Sequence, residues 1–184
     1  MRRQWELIFL GLLLALTFYL ASGYGLTTAN FSVIGNQGGR RPAFLLWGAL
    51  TGNYFYLYTD ALMERAGCRD PAARFFLYGA LLLLVTAVGL PYLPEQVPGL
   101  SRLHVMLSFL APVSLGLAQL RFLAVLRRER GKLFGASWCI LGTLAAGAVF
   151  LLFRIGIVSS LLEVFITLGV CLYLRVLGRE IDVN

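Results

Sequence analysis

Residues 75–93 read FFLYGALLLLVTAVGLPYL, an uncharged run of the length that a helix needs to cross a bilayer's hydrocarbon core. At about 1.5 Å per residue, such a helix spans about 30 Å. Five comparable runs flank it. They place helices at about 7–23, 43–63, 75–93, 103–123, 133–153 and 155–174. The fold class expected is all-α, a polytopic integral membrane bundle of six transmembrane helices forming one domain over residues 1–184. Composition agrees: 59% of residues are hydrophobic and 14% charged, against about 45–50% and about 25% in ordinary soluble domains.

The net charge of +7 invites a nucleic-acid reading, but the basic residues sit between the apolar runs rather than on one face, so nucleic acid is not an expected partner. On one side fall Arg2, Arg3, Arg65, Arg69, Arg74, Arg121, Arg127, Arg128, Arg130, Lys132, Arg175 and Arg179. The other side holds only Arg40, Arg41, Arg102 and Arg154. An excess of cations marks the cytoplasmic face, so both termini are expected in the cytoplasm of a cell-membrane protein. The start, MRRQWE before an apolar run ending Ala21-Ser22-Gly23, has the outline of a secretory signal. The regular hairpin series after it needs this helix for packing, and it is read as retained. Cys68, Cys139 and Cys171 show no metal or disulfide spacing and are expected to be free thiols.

Apart from residues 24–42 the connections are short, and short connections force sequential antiparallel neighbours. Small residues at helical spacing, Gly135, Cys139, Gly142 and Ala146 on the fifth helix and Ser108, Pro112 and Gly116 on the fourth, are expected at close helix contacts. Pro112 should kink its helix unless neighbours satisfy the freed carbonyl.

Ionisable groups in hydrocarbon cost several kcal/mol unless paired or wet, so each is informative. Glu163 lies among Leu161, Leu162, Val164 and Phe165, about 10 Å below the outer end of the sixth helix. His104, the lone histidine, opens the fourth helix near the same surface. One reading pairs them for acid/base chemistry. The other gives Glu163 to Arg154 or Arg102 and leaves His104 at the wet interface. In the outer loop, Ser32, Asn36, Arg40 and Arg41 accompany Phe31, Val33 and Ile34, apolar residues that should seek burial. The segment reads either as a lid whose arginines take an anionic headgroup or as a solvated loop. Asn53, at mid-depth on the second helix, lines a cavity or makes one interhelical bond. Asp60 and Arg121, at similar inner depth, are expected to form a structural ion pair.

One histidine cannot build a His-rich zinc site, and no nucleotide, hydrolase-elbow or metalloprotease motif is present. No metal or cofactor is expected. Candidate catalytic residues are His104, Glu163 and Ser32, and candidate ligand-binding residues are Asn36, Arg40, Arg41, Asn53, Arg102 and Arg154.

Gly89-Leu90-Pro91, then Pro94, then Leu103-His104 opening a helix with Ser108, Phe109 and Ala111, resembles the bacterial membrane family catalogued as domain of unknown function 998, related to Frag- and DRAM-type proteins. That family also shows a serine-containing outer loop after its first helix, to which Phe31-Ser32-Val33-Ile34-Gly35 is similar. Its acidic residue after the proline motif stands here as Glu95. Its tyrosine-proline-glycine-tyrosine element is replaced by Ser22-Gly23-Tyr24-Gly25. The resemblance implies a six-helix bundle without an established activity, and eukaryotic relatives tilt the reading toward lipids.

The function expected first is an accessory bundle that binds membrane lipid or a partner membrane protein through Ser32, Arg40, Arg41, His104 and Glu163, without catalysis. The alternatives are an outer-leaflet lipid-modifying enzyme with His104 as base assisted by Glu163 or Ser32, and a small transporter using Glu163 or Asp60 as a proton site.

Overall fold

A computed structural model describes residues 3–37, 39–130 and 134–183, and every regular element among them is helical. The elements are α1 (Arg3–Ala21), α2 (Phe31–Gln37), α3 (Arg41–Ala66), α4 (Pro71–Gly89), α5 (Pro98–Arg130), α6 (Gly135–Ile155) and α7 (Ser160–Val183). Arg2 and Lys132 of the charge tally, and Leu133, where the fifth apolar helix was expected to begin, lie outside the described residues.

Four helices, α4, α5, α6 and α7, are long and apolar enough to cross a membrane, and α1 adds a shorter apolar stretch, Glu6–Ala21. The fold is thus an all-helical bundle compatible with a membrane protein. The long helix α3 is more polar, carrying Asn53, Asp60 and three tyrosines. It also takes the central place, packed against α1, α2, α4 and α7. Many of its side chains therefore meet protein rather than the surroundings: Phe44, Trp47, Tyr54, Phe55 and Leu62 are all buried. The α4–α5 and α6–α7 hairpins pack around it, whereas α6 touches little but α7 and leaves Val149, Phe150 and Phe153 exposed.

Several helix boundaries depart from the apolar runs that announce them, and α4 stops at Gly89 rather than at the expected Leu93. Asp70 caps α4 by accepting the Ala73 amide at 2.8 Å, which moves the start from the expected Phe75 back to Pro71. Continuous through Pro112, α5 reaches from Pro98 to Arg130, a length of about 50 Å. Between α6 and α7 the chain turns at Gly156, whose φ of 79° is a left-handed geometry that favours glycine. That turn delays the last helix from the expected Ile155 to Ser160, and its charged end carries it on to Val183.

Two sequence expectations about packing need correction. A Cβ added at Gly135, Gly142 or Gly116 meets nothing within 4 Å, and Cys139 is exposed. The α6 stripe does not mark a close contact, because Gly135, Cys139, Gly142 and Ala146 all face outward; on α5, Ser108, Pro112 and Gly116 are half-buried, but Gly116 leaves room for a Cβ. Close approach occurs instead where α3 meets α4 at Gly48, whose added Cβ would lie 2.6 Å from a Val88 methyl. Gly147 against Phe165 and Gly169 against Leu144 hold α6 to α7 in the same way.

The expected ion pair between Asp60 and Arg121 is not formed either. Asp60 accepts from Arg74 at 2.8 Å, which also reaches Glu64 at 3.1 Å. Arg121 instead clasps both oxygens of Asp70, at 3.1 to 3.3 Å. Equal depth was read correctly: Gln119, two residues before Arg121, bonds Thr59, the neighbour of Asp60, at 2.8 Å. Depth alone does not say which way a helix is rotated, and the capping aspartate before α4 lies nearer to Arg121. At this end Arg175 also pairs with Glu6 at 3.1 Å, and Arg130 donates to the carbonyls of Ala66 and Ile181.

Candidate functional site at the α2 end

The stretch expected as a loop holds a short helix built into the bundle. Asn30 supplies a side-chain oxygen to the Val33 amide at 2.9 Å, the ordinary way an asparagine starts a helix. Burial then follows from sequence. Phe31 and Ile34 are fully covered, Phe31 meeting Trp47 edge-on at 5.0 Å, while Gly35 lets the backbone approach Phe44. The preceding segment is sewn to the start of α7: Ser160 donates its amide to Ala29 at 2.7 Å, Leu161 donates to Leu26 at 2.9 Å, and Asn30 donates to Val158 at 3.3 Å.

These contacts deliver Ser32 to His104. The Ser32 hydroxyl lies 2.7 Å from Nε2 of His104, and Nδ1 of the same ring lies 2.7 Å from the Ala87 carbonyl near the end of α4. A carbonyl only accepts, so Nδ1 carries the hydrogen. In the neutral ring Nε2 then presents its lone pair to the serine hydroxyl. This is the tautomer a general base needs, with the carbonyl in the orienting role an aspartate fills in catalytic triads. Both side chains are buried, Ser32 at 8% and His104 at 2% exposure. The Tyr92 ring covers one side of the imidazole with centroids 5.5 Å apart.

Glu163 reaches the same place by another route. Its carboxylate accepts the Phe31 amide at 2.7 Å, so it meets the residue beside Ser32 rather than His104, Arg102 or Arg154. Neither of the two pairings weighed for Glu163 is formed. Glu163 and His104 are instead joined through two consecutive residues of α2.

The candidate binding residues divide. Asn36 donates to the Ser32 carbonyl at 2.7 Å and accepts from Arg41, which also donates to the Gly89 carbonyl at 3.1 Å. Arg40 donates to the Tyr19 and Ser22 carbonyls at 2.6 and 2.7 Å and lies over the rings of Tyr19 and Tyr24. These two arginines tie α1, α2, α3 and α4 together at this end. Arg102 and Arg154 are exposed. Asn53 stands apart: it is exposed and bonds the Ala49 carbonyl of its own helix at 2.8 Å, so it neither lines the site nor bridges helices. Sequence reasoning missed Asn30, Tyr92 and Ser160. Of these, only Asn30 carried a local signal, a capping residue before an apolar turn.

Among the described residues, no three of His, Cys, Asp and Glu gather as a metal site would require. No family model, curated protein or solved structure matches this chain.

Proposed function

We propose that the chain is a cell-membrane protein with six spans, α1 and α3 to α7, and both termini in the cytoplasm, whose α2 end transfers or hydrolyses an acyl group of a lipid. One observation carries the reading: Ser32 is hydrogen-bonded to a histidine whose other nitrogen is held by a carbonyl. In this mechanism His104 Nε2 takes the Ser32 proton as Oγ bonds to an ester carbonyl carbon. Collapse of the tetrahedral intermediate breaks the bond to the alcohol, which leaves with the proton from His104. Water or an acceptor hydroxyl then attacks the acyl-serine by the same route, returning free Ser32. The distribution of basic residues supports the orientation, and the four apolar helices support the membrane setting. Membership in the family of domain of unknown function 998 belongs to the same proposal.

The test is covalent. Purified protein treated with a fluorophosphonate should be labelled at Ser32, with labelling abolished in Ser32→Ala and strongly reduced in His104→Ala. An unlabelled wild-type protein, together with an unchanged cellular lipid profile in Ser32→Ala at matched expression, would sink the catalytic reading.

A second reading, an accessory bundle that binds lipid or a partner membrane protein, is favoured by the burial of both dyad side chains. In it the Ser32–His104 bond serves to fasten α2 to α5. Copurification of the same lipid or partner with wild type and Ser32→Ala, without labelling, is its signature.

A further inference from the structure

Beside the dyad, the connection from α4 and the first turns of α5 enclose an open groove of about 570 Å³, lined by Tyr92, Pro94, Ser101, Arg102, Val105 and Met106 among others. Its lining joins two chemistries. One lining residue, Arg102, is exposed and without an ion pair among the described residues. Glu95 lies on the same connection but does not line the groove and makes no ion pair with Arg102. About one helical turn along α5 come Val105 and Met106, 48% and 60% exposed, on a helix apolar enough to lie in a membrane. Tyr92 forms part of the lining and also packs against the His104 ring, so a single aromatic side chain separates groove from dyad.

We infer that this groove holds one anionic glycerophospholipid, its phosphate on the Arg102 guanidinium and the upper part of an acyl chain against Val105 and Met106. A guanidinium recognises phosphate through paired N–H donors. The apolar wall below it has no use for a soluble anion, but it continues the path a lipid tail takes from its headgroup. This assignment rests on the membrane setting of the proposed function and not on catalysis by Ser32. If the catalytic reading also holds, it names the substrate class.

Native mass spectrometry of the detergent-purified chain, titrated with phosphatidylglycerol, phosphatidylcholine or inorganic phosphate, tests the assignment. Wild type should retain one phosphatidylglycerol about 5-fold more tightly than phosphatidylcholine, the ratio that one cation near a lipid surface supplies. Arg102→Gln should erase that preference, Met106→Trp should weaken both lipids by filling the wall, and Arg154→Gln should behave as wild type. Ser32→Ala should bind as wild type, which keeps this result separate from the labelling experiment. Equal retention of the two lipids, an Arg102→Gln variant with the preference intact, or displacement of phosphatidylglycerol by millimolar inorganic phosphate would overturn it.

Discussion

Glu163 accepts the backbone amide of Phe31 at 2.7 Å, one residue before the serine that His104 holds. A carboxyl group on α7 thus fixes the entrance of α2, while an imidazole on α5 fixes its buried hydroxyl. Removing the acceptor should matter more than removing the charge. Glu163→Gln keeps a carbonyl oxygen for the Phe31 amide and should cost little, whereas Glu163→Ala strands a part-buried N–H and should lower stability by about 1–3 kcal/mol. Thermal unfolding in one detergent ranks the two variants, and equal melting temperatures for both would contradict the capping role.

A second expectation concerns the glycines. At Gly48, an alanine would press its Cβ onto the branched side chain of Val88, with methyls at 2.6 and 2.7 Å, so Gly48→Ala should destabilise by about 1–3 kcal/mol. At Gly116, where an added Cβ meets nothing within 4 Å, alanine should be neutral or stabilising by up to about 1 kcal/mol through helix propensity. The same unfolding assay decides, and the opposite order would mean that α5 packs with the other face inward.

The loop before α4 responds to pH. The Arg121 guanidinium, then the Ala73 amide, hold the Asp70 carboxyl below its ordinary value of 3.8. A depressed pKa adds stability that is fully present above the unfolded value and fades as pH falls through the lower folded one. Wild type should therefore lose stability on acidification below about pH 4, relative to Asp70→Ala, which lacks the group. At neutral pH the same variant should be less stable by about 1 kcal/mol, mostly from the lost helix cap, since Arg121 is half exposed and its ion pair is screened. Stability curves from pH 3 to 7 that stay parallel would remove the linkage.

Chemical modification offers a fourth check. Cys139 is exposed on the isolated chain, whereas Cys68 and Cys171 are buried, and burial pushes the Cys68 thiol above its usual pKa. A small maleimide in mild detergent should modify Cys139 first, and Cys68 only after unfolding. Early labelling of Cys68 would show that the loop between α3 and α4 opens.

Hydrophobic runs made the helical class and the approximate position of each long helix legible, because a helix that faces lipid must be apolar over its whole length. Burial of Phe31 and Ile34 was also readable, since apolar side chains in a loop need somewhere to go. The rotation of each helix was not. Asp60 and Arg121 were placed at one depth and yet found other partners, and glycines spaced as a contact stripe on α6 point outward. His104, Ser32 and Glu163 were all picked out by residue type, but their linkage through α2 was invisible. It depends on Asn30 starting a helix inside a stretch whose glycines and polar residues read as a loop.

The stitches between residues 26–31 and residues 158–163 also impose an order of assembly. During synthesis α1 and α2 emerge first, yet the Leu26 and Ala29 carbonyls between them, and the Phe31 amide, find partners only when the last helix has been made. His104 can be in place before then. The serine is therefore positioned late, and a ribosome stalled before residue 158 carries every atom of the dyad without the clasp that brings it together.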